Sequence, residues 1–100
     1  LVEILLRFRR WKIGLSADIQ KAFLQIGLHR GDQDAHRFLL SDYCGRVRVM
    51  RFQRVTFGVC SSPFLLNATI KHHLDKYPAS RAVDELKTNL YVDDWLTGAD

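Results

Sequence analysis

The chain has 100 residues, 47% of them hydrophobic, and its 15 Lys and Arg against 11 Asp and Glu give a formal charge of +4. This length allows at most one domain, and the apolar content excludes an intrinsically disordered chain. No apolar run reaches the roughly 18 residues of a membrane span, so the sequence predicts no membrane-spanning helix and no membrane partner.

The first part of the chain is predicted to contain a helix, a strand, a short helix and a second strand. Residues 1–10 have the pattern of an amphipathic helix end, and residues 11–18 that of a strand ending at Asp18. A short helix or turn is predicted next from apolar residues at helical spacing, namely Ile19, Ala22, Phe23 and Ile26. Residues 36–41 are predicted to form a strand.

Residues 46–57 alternate between polar and apolar side chains, as in a strand with two different faces. Arginines lie along this segment, so we expect one of the faces to be basic. A basic surface suits a polyanionic partner such as nucleic acid. We predict that Arg51 and Arg54 contact nucleic acid, whereas Arg46 and Arg48 are solvated.

The second half of the chain predicts two helices and a hairpin. Ser61-Ser62-Pro63 has the form of a helix start, with a hydroxyl to cap free N–H groups and a proline in the first turn. This helix should end before Pro78, and residues 80–88 predict a shorter one. Short strands on either side of Asp93-Asp94 predict a β-hairpin. The expected fold is α+β, an antiparallel sheet with helices on one face, burying roughly 60–70% of the unfolded surface.

Three carboxylates are candidate site residues, because Asp93 and Asp94 lie in an apolar, aromatic stretch and Asp18 ends another strand. Two carboxylates ~4 Å apart repel by about 4 kcal/mol at an effective dielectric near 20. A divalent cation removes that cost, and all-oxygen ligands favour Mg²⁺ or Mn²⁺ over zinc. Two plainer readings stay open: Asp93-Asp94 as turn residues, and Asp18 as a carboxylate beside a helix N-terminus.

Three stretches resemble the motifs of reverse transcriptases, in the expected order. Residues 91–94 (YVDD) are similar to the Tyr-x-Asp-Asp signature, residues 18–23 (DIQKAF) resemble the first palm motif, and residues 56–64 (TFGVCSSPF) resemble the middle motif. The motif regions span 16–28, 55–70 and 89–98. The amino-acid sequences of these motifs are most similar to those of the Pao/BEL class of LTR retrotransposons. By this resemblance, residues 1–100 are identified as one reverse transcriptase palm.

The resemblance implies an RNA-directed DNA polymerase that adds deoxynucleotides to a primer 3′-hydroxyl by a two-metal mechanism. Asp18 and Asp93 would bind two Mg²⁺ (or Mn²⁺) ions, with Asp94 beside them. Phe23 would be the steric gate against ribonucleotides, and Tyr91 would lie near the primer end; a core role for Phe23 and a packing role for Tyr91 stay open. The incoming nucleotide and template would meet Phe57 and Gly58.

The implied partners are an RNA or DNA template with its primer, deoxynucleoside triphosphates, and the fingers, thumb and RNase H of a polyprotein. The chain starts at Leu1 and stops at Asp100, so we expect a fragment that lacks most of the fingers and thumb and is inactive alone. The expected location is intracellular, in a cytoplasmic particle or the nucleus. Cys44 and Cys60 are too few for a disulfide framework and are expected to be buried or free thiols.

Two other functional readings remain open at this point. The chain could be a non-catalytic, nucleic-acid-binding remnant of a retroelement. It could also be an α+β domain with a structural role, in which Asp93-Asp94 is only a turn and Asp18 lies far from it.

Overall fold

A computed structural model describes all of residues 1–100 and contains three α-helices and five strands. The helices are α1 (Val2–Phe8), α2 (Ser62–Leu74) and α3 (Arg81–Asn89). The strands are β1 (Ile13–Asp18), β2 (Arg37–Ser41), β3 (Val47–Arg51), β4 (Leu90–Tyr91) and β5 (Asp94–Ala99). Every strand pair is antiparallel, so the predicted α+β class with antiparallel pairing is confirmed.

The strands form two sheets, where the sequence predicted one. A three-stranded sheet has the order β1-β5-β4, and β2 pairs only with β3. The strand predicted over residues 46–57 ends at Arg51, and beyond it only Arg54 forms a bridge, to Gly27. The predicted basic face is also wrong, because Arg48 and Arg51 are three positions apart and point to opposite faces of a strand.

The starts of α2 and α3 use their serines differently. At α3, Ser80 caps the helix, since its Oγ accepts a hydrogen bond from the Val83 N–H at 3.3 Å. At α2, the predicted cap is absent: Ser61 has a helical backbone (φ −81°, ψ −14°) and makes no side-chain cap bond. The adjacent Ser62 hydroxyl instead donates to the carbonyl oxygen of Thr56. Ser62 is buried, so this bond attaches the start of α2 to the segment that precedes it.

The core is much smaller than the sequence predicted. Only 8 of 100 residues are buried, and five of those are hydrophobic: Ile4, Ala22, Val55, Leu66 and Leu74. The accessible surface is 7980 Å², against roughly 5,800 Å² expected for a compact chain of this size. Folding therefore buries only about half of the extended-chain surface, and the expectation of 60–70% is wrong.

An extended shape explains the exposed surface. The radius of gyration is 18.0 Å, compared with about 13 Å for a compact domain of 100 residues. Every residue of strands β1, β2 and β3 is exposed, because no layer covers them. The longest helix, α2, has 13 residues, and no helix combines the length and apolar character needed to cross a membrane.

Helices α2 and α3 lie over one face of the three-stranded sheet. Ala17 and Trp95 face each other across β1 and β5. Together with side chains from both helices, they line an apolar groove of about 410 Å³. Residues alternate between faces along a strand, so the side chains of Asp18 and Asp94 belong to the opposite face, although Asp18, at the end of β1, also borders the groove. The two helices therefore pack on one face of the sheet, and the Asp18 and Asp94 end of the other face stays exposed.

Candidate functional site

The β4–β5 hairpin has a loop of two residues, Val92 and Asp93, because Tyr91 pairs with Asp94. Asp94 is therefore the first residue of β5, which corrects the prediction that both aspartates lie in the turn. Val92 has a φ of +58°. Two-residue hairpin loops need positive φ at their first position because that geometry matches the twist of the strands. The loop thus fixes Asp94 on a regular strand and leaves Asp93 at the tip.

Three side chains form a row across the open face of the sheet. Asp94 lies directly opposite Asp18 on β1 and directly opposite Tyr91 on β4. Directly opposed residues of antiparallel strands point to the same face, with Cβ atoms roughly 4.5–5.5 Å apart. We call Tyr91, Asp94 and Asp18 the carboxylate row. The row brings together two of the three predicted metal ligands and the predicted primer-end tyrosine.

The third carboxylate residue is attached to the same end of the sheet through its backbone. The carbonyl oxygen of Asp93 accepts a hydrogen bond from the N–H of Ile19 at 2.9 Å. Ile19 directly follows Asp18, so this bond closes the hairpin loop against the end of β1. A purely structural turn predicted that Asp18 would lie far from the hairpin, and that prediction is wrong.

Backbone strain is concentrated around the carboxylates. Only two residues other than glycine have positive φ, Lys21 at +53° and Val92 at +58°. Lys21 follows Asp18 by three positions, and Val92 directly precedes Asp93. Such conformations cost about 1–3 kcal/mol each and cluster at active sites, where the surrounding structure enforces them. Positive φ is especially rare for a β-branched residue such as Val92, so the hairpin must hold this turn against an unfavourable local conformation.

The residues fit a divalent cation in ligand type and in backbone position. Hard cations such as Mg²⁺ take oxygen ligands, and they commonly use one or two carboxylates together with water and substrate phosphates. Asp18 and Asp94 supply two carboxylates from paired positions. No group of three or more His, Cys, Asp or Glu side chains is arranged to hold a metal by itself. With two protein carboxylates, a bound Mg²⁺ would need water and substrate phosphates to complete its ligands.

The predicted nucleotide-binding residues lie on two other segments, one that follows β1 and one that precedes α2. Phe23 is half-buried in the 3₁₀ helix Ala22–Gln25, five positions after Asp18. Phe57 is 77% exposed and is followed by Gly58 with a φ of +85°. No hydrogen bond or ion pair joins Phe57 or Gly58 to the carboxylate row. The segment that precedes Phe57 is hydrogen-bonded to the segment that follows Phe23, because the N–H of Val55 donates to the carbonyl of Ile26 at 2.9 Å.

The two predicted nucleic-acid arginines differ in their partners. Arg51 Nη1 lies 2.9 Å from Asp34 Oδ1, and Arg37 contacts the same carboxylate. Hydrogen bonds from Arg37 and Arg51 hold the pKa of Asp34 below its usual range. Arg54 has no carboxylate partner; its guanidinium donates to the backbone carbonyl of Gln25 at 3.4 Å. Arg54 is therefore the freer cation, and it lies beside the 3₁₀ helix of Phe23.

Sequence reasoning missed two residues that shape this region. Val92 occupies the variable position of the four-residue motif, and only the two-residue loop reveals that it needs positive φ. Ser62 looked like one of two equivalent capping serines, but burial and its bond to Thr56 separate it from Ser61. A directly following proline was the one sequence signal that distinguished Ser62.

Comparison with known families supplies independent information. Residues 3–100 match the family model described as "Reverse transcriptase (RNA-dependent DNA polymerase)". The matched range includes all three motif regions and every member of the carboxylate row. No curated protein matches the chain.

Proposed function

The chain belongs to the reverse transcriptase family of RNA-directed DNA polymerases, and we propose that it is the catalytic palm of such an enzyme. We further propose that the parent enzyme belongs to the Pao/BEL class of LTR retrotransposons, because the amino-acid sequences of the three motifs resemble that class. The observation that carries the proposal is the register pair Asp18–Asp94, closed by the bond between Ile19 and Asp93. Like charges on directly opposed strand positions are destabilising, and a bound divalent cation would offset that repulsion.

The reaction is transfer of a deoxynucleotide to a primer. The primer 3′-oxygen attacks the α-phosphorus of the triphosphate, the new phosphodiester forms, and pyrophosphate leaves. Asp18 and Asp93 would hold two Mg²⁺ or Mn²⁺ ions, with Asp94 beside them. Ions held there would supply charge that favours ionisation of the primer hydroxyl and neutralises the phosphates. The contribution of the chain is to fix these carboxylates on paired strands and a constrained loop before substrate arrives.

Around the carboxylates, four residues would contact substrate. Tyr91 continues the row on the side away from Asp18 and is 42% exposed, which suits contact with the primer end. Phe57 and Gly58 would meet the incoming nucleotide and the template. The exposed ring of Phe57 can stack, and nothing lies within 4 Å of the position a Gly58 side chain would take. A nucleotide can therefore approach the Gly58 backbone closely.

Phe23 is expected to select the sugar, because its ring follows Asp18 on the segment that leaves the site. In the proposed arrangement it occupies the space that a 2′-hydroxyl would need. Phe23→Val should therefore raise incorporation of ribonucleotides relative to deoxynucleotides by about 10–100-fold, the range that pocket shape controls. Primer extension with each nucleotide class measures that ratio. An unchanged ratio would assign Phe23 to packing alone.

Arg51 and Arg54 are the proposed nucleic-acid contacts, and their surroundings rank them. Arg54 is free of carboxylates and can bind phosphate at once, whereas Arg51 must first leave Asp34. Each phosphate contact adds about 0.7–0.9 to the slope of log affinity against log salt. Arg54→Gln should reduce this slope for primer–template binding more than Arg51→Gln does.

The exposed surface also supports a larger functional unit. A chain that buries only eight residues, and leaves the β2–β3 hairpin uncovered, is suited to packing against further parts of a polymerase. We propose that these parts are the fingers, thumb and RNase H of a polyprotein. On this proposal residues 1–100 alone would show little primer extension, because positioning of primer and triphosphate would be incomplete.

Primer extension on an RNA template with deoxynucleotides and Mg²⁺ tests the proposed function in the full-length protein. We expect extension in the wild type, loss of activity on chelation of divalent cations, and loss in Asp93→Asn. Asp32→Asn is a matched control, because Asp32 is exposed and its side chain makes no capping bond. Activity that persists in Asp93→Asn would overturn the assignment. Nucleic-acid binding that ignores divalent metal, without extension, would indicate the remnant instead.

A further inference from the structure

Strand β5, which carries Asp94, makes two side-chain hydrogen bonds to α3, and both of them end at Glu85. Glu85 Oε2 accepts a hydrogen bond from Thr97 Oγ1 at 2.8 Å. The backbone carbonyl of Glu85 accepts a second bond from Trp95 Nε1 at 3.4 Å. Glu85 therefore contacts the first and third residues after Asp94.

The same carboxylate continues into a longer chain of hydrogen bonds. Glu85 Oε2 accepts from Asn89 Nδ2 at 2.7 Å, and Asn89 Oδ1 accepts from Arg7 Nε at 3.0 Å. Arg7 also donates from Nη2 to the carbonyl of Thr88 at 2.8 Å. Asn89 is 6% exposed and Thr97 is 5% exposed, so water has little access to replace their bonds to Glu85. One carboxylate thus connects α1, α3 and β5.

The position of Asp18 depends on β5. Strand β1 is exposed along its whole length and pairs with β5 alone. Its end is fixed to the hairpin by the six register pairs with β5 and by the bond from Ile19 to Asp93. Loosening of β5 from α3 would therefore loosen both carboxylate positions, Asp94 directly and Asp18 through β1.

We propose that Glu85 is a positioning residue for the carboxylate row. Through Thr97 and Trp95 it holds β5 in the position in which the Asp93 loop closes on the end of β1. This inference rests on the proposed function of the carboxylates, and Glu85 lies outside all three motif regions. Glu85 touches no reacting atom; its effect on catalysis passes through the placement of Asp94 and Asp18.

Hydrogen–deuterium exchange at the Ile19 amide tests the proposal in the full-length protein, without metal or substrate. In Glu85→Ala, Thr97 and Asn89 lose their shared acceptor, and the Ile19 amide should exchange about tenfold faster, as expected for losing such bonds. In Glu85→Gln, exchange should stay at the wild-type rate, because a side-chain amide oxygen can accept both bonds. Asp84→Ala is the control on the same helix, since the Asp84 side chain is exposed and makes no hydrogen bond.

A local effect distinguishes positioning from general destabilisation. The amides of Leu65 and Asp75, which make hydrogen bonds of 3.0 Å at the two ends of α2, serve as internal references. Equal acceleration at Ile19 and at these amides would overturn the proposal, as would an unchanged rate at Ile19. If Glu85→Ala does not fold, Thr97→Val removes the donor while keeping a branched side chain, and the same local acceleration is expected.

Primer extension adds the functional readout. We expect Glu85→Gln to restore the activity that Glu85→Ala loses. Wild-type activity in Glu85→Ala, despite faster exchange at Ile19, would show that Glu85 does not act on catalysis and would overturn the proposal. A wild type without metal-dependent extension would instead contradict the proposed function, while the exchange result at Ile19 would still report on the Glu85 connection.

Discussion

Asp18→Asn is expected to slow primer extension by roughly 10³-fold while leaving the protein at least as stable as the wild type. A metal ligand supplies several kcal/mol of transition-state stabilisation, and each 1.36 kcal/mol corresponds to a factor of about ten in rate. Asparagine keeps the shape of aspartate but removes the negative charge. Without metal, Asp18 faces Asp94 directly, so the substitution also removes a repulsion between opposed strand positions.

The free energy of unfolding of the Asn variants tests whether Asp18 and Asp94 face each other across the sheet. Like charges directly opposite each other on a sheet cost roughly 0.2–1 kcal/mol. Asp18→Asn and Asp94→Asn should each recover about this amount in metal-free denaturant unfolding, and the double variant should gain little more, since either change alone ends the repulsion. Asp32→Asn again serves as the control.

Two outcomes would contradict the argument. Full activity in Asp18→Asn would remove this residue from the metal site. Independent, additive stability changes in the double variant would show that Asp18 and Asp94 do not face each other in solution. Activity lost together with a large loss of stability would mean that the substitution damages the fold and would not support a catalytic role.

Gly98→Ala is expected to destabilise the protein by about 1–3 kcal/mol, as overpacking at a tightly packed position does. A Cβ atom built on Gly98 would lie 2.5 Å from the backbone carbonyl of Ile13 and would also overlap the Trp11 side chain. A backbone atom of the neighbouring strand cannot move aside as a side-chain end can. Strands β1 and β5 must therefore separate locally to admit the methyl group.

The substitution should also reduce activity, because Gly98 lies on the strand pair that carries the carboxylates. Gly98 pairs with Gly14 in the same register that pairs Asp94 with Asp18. A displacement of β1 from β5 would also change the relative position of Asp18 and Asp94. A misplacement of about 1 Å can cost roughly 10²-fold in rate. Denaturant unfolding and primer extension of the same variant measure the two effects.

Gly27→Ala provides the matched control for this prediction. The nearest atom to a Cβ on Gly27 is the flexible end of Arg54, at an ordinary contact distance of 3.7 Å. Its stability should therefore change little, or rise by about 0.4–1 kcal/mol as the unfolded chain loses freedom. If Gly98→Ala behaved like Gly27→Ala, the close contact of the two strands at Gly98 would be disproved.

Local patterns in the sequence were sufficient to predict most of the elements. The strand ending at Asp18, the helix starting near Ser62 and the hairpin at residues 89–98 lie close to their predicted bounds. Each depends on short-range chemistry, namely side-chain alternation, a proline in the first helical turn and a short loop between strands. Strand β3 was predicted too long because alternation continues beyond Arg51, where no partner strand is present to pair with it.

What the sequence could not determine depends on contacts between distant segments. The sequence predicted one sheet, a larger core and a serine hydroxyl that caps α2, whereas the structure has two sheets, eight buried residues and a bond from Ser62 to Thr56. Burial of a strand depends on which helix or sheet packs on it. The alternation of side chains within the strand does not identify that packing partner. The positive φ of Val92 and the role proposed for Glu85 could not be predicted for the same reason. Each depends on contacts with a segment that is distant in sequence or on the pairing of two strands.

The sequence by itself determined the family, because the order and spacing of the motifs along the chain are sequence properties, and it predicted the three carboxylates as ligands. Only the tertiary structure decided that Asp18 and Asp94 are direct partners and that the Asp93 loop closes on Ile19. The physical reason is that antiparallel register between strands about 75 residues apart is set by packing and hydrogen bonding across the sheet. Local preference can end a strand at a carboxylate, but it cannot choose the residue that faces it.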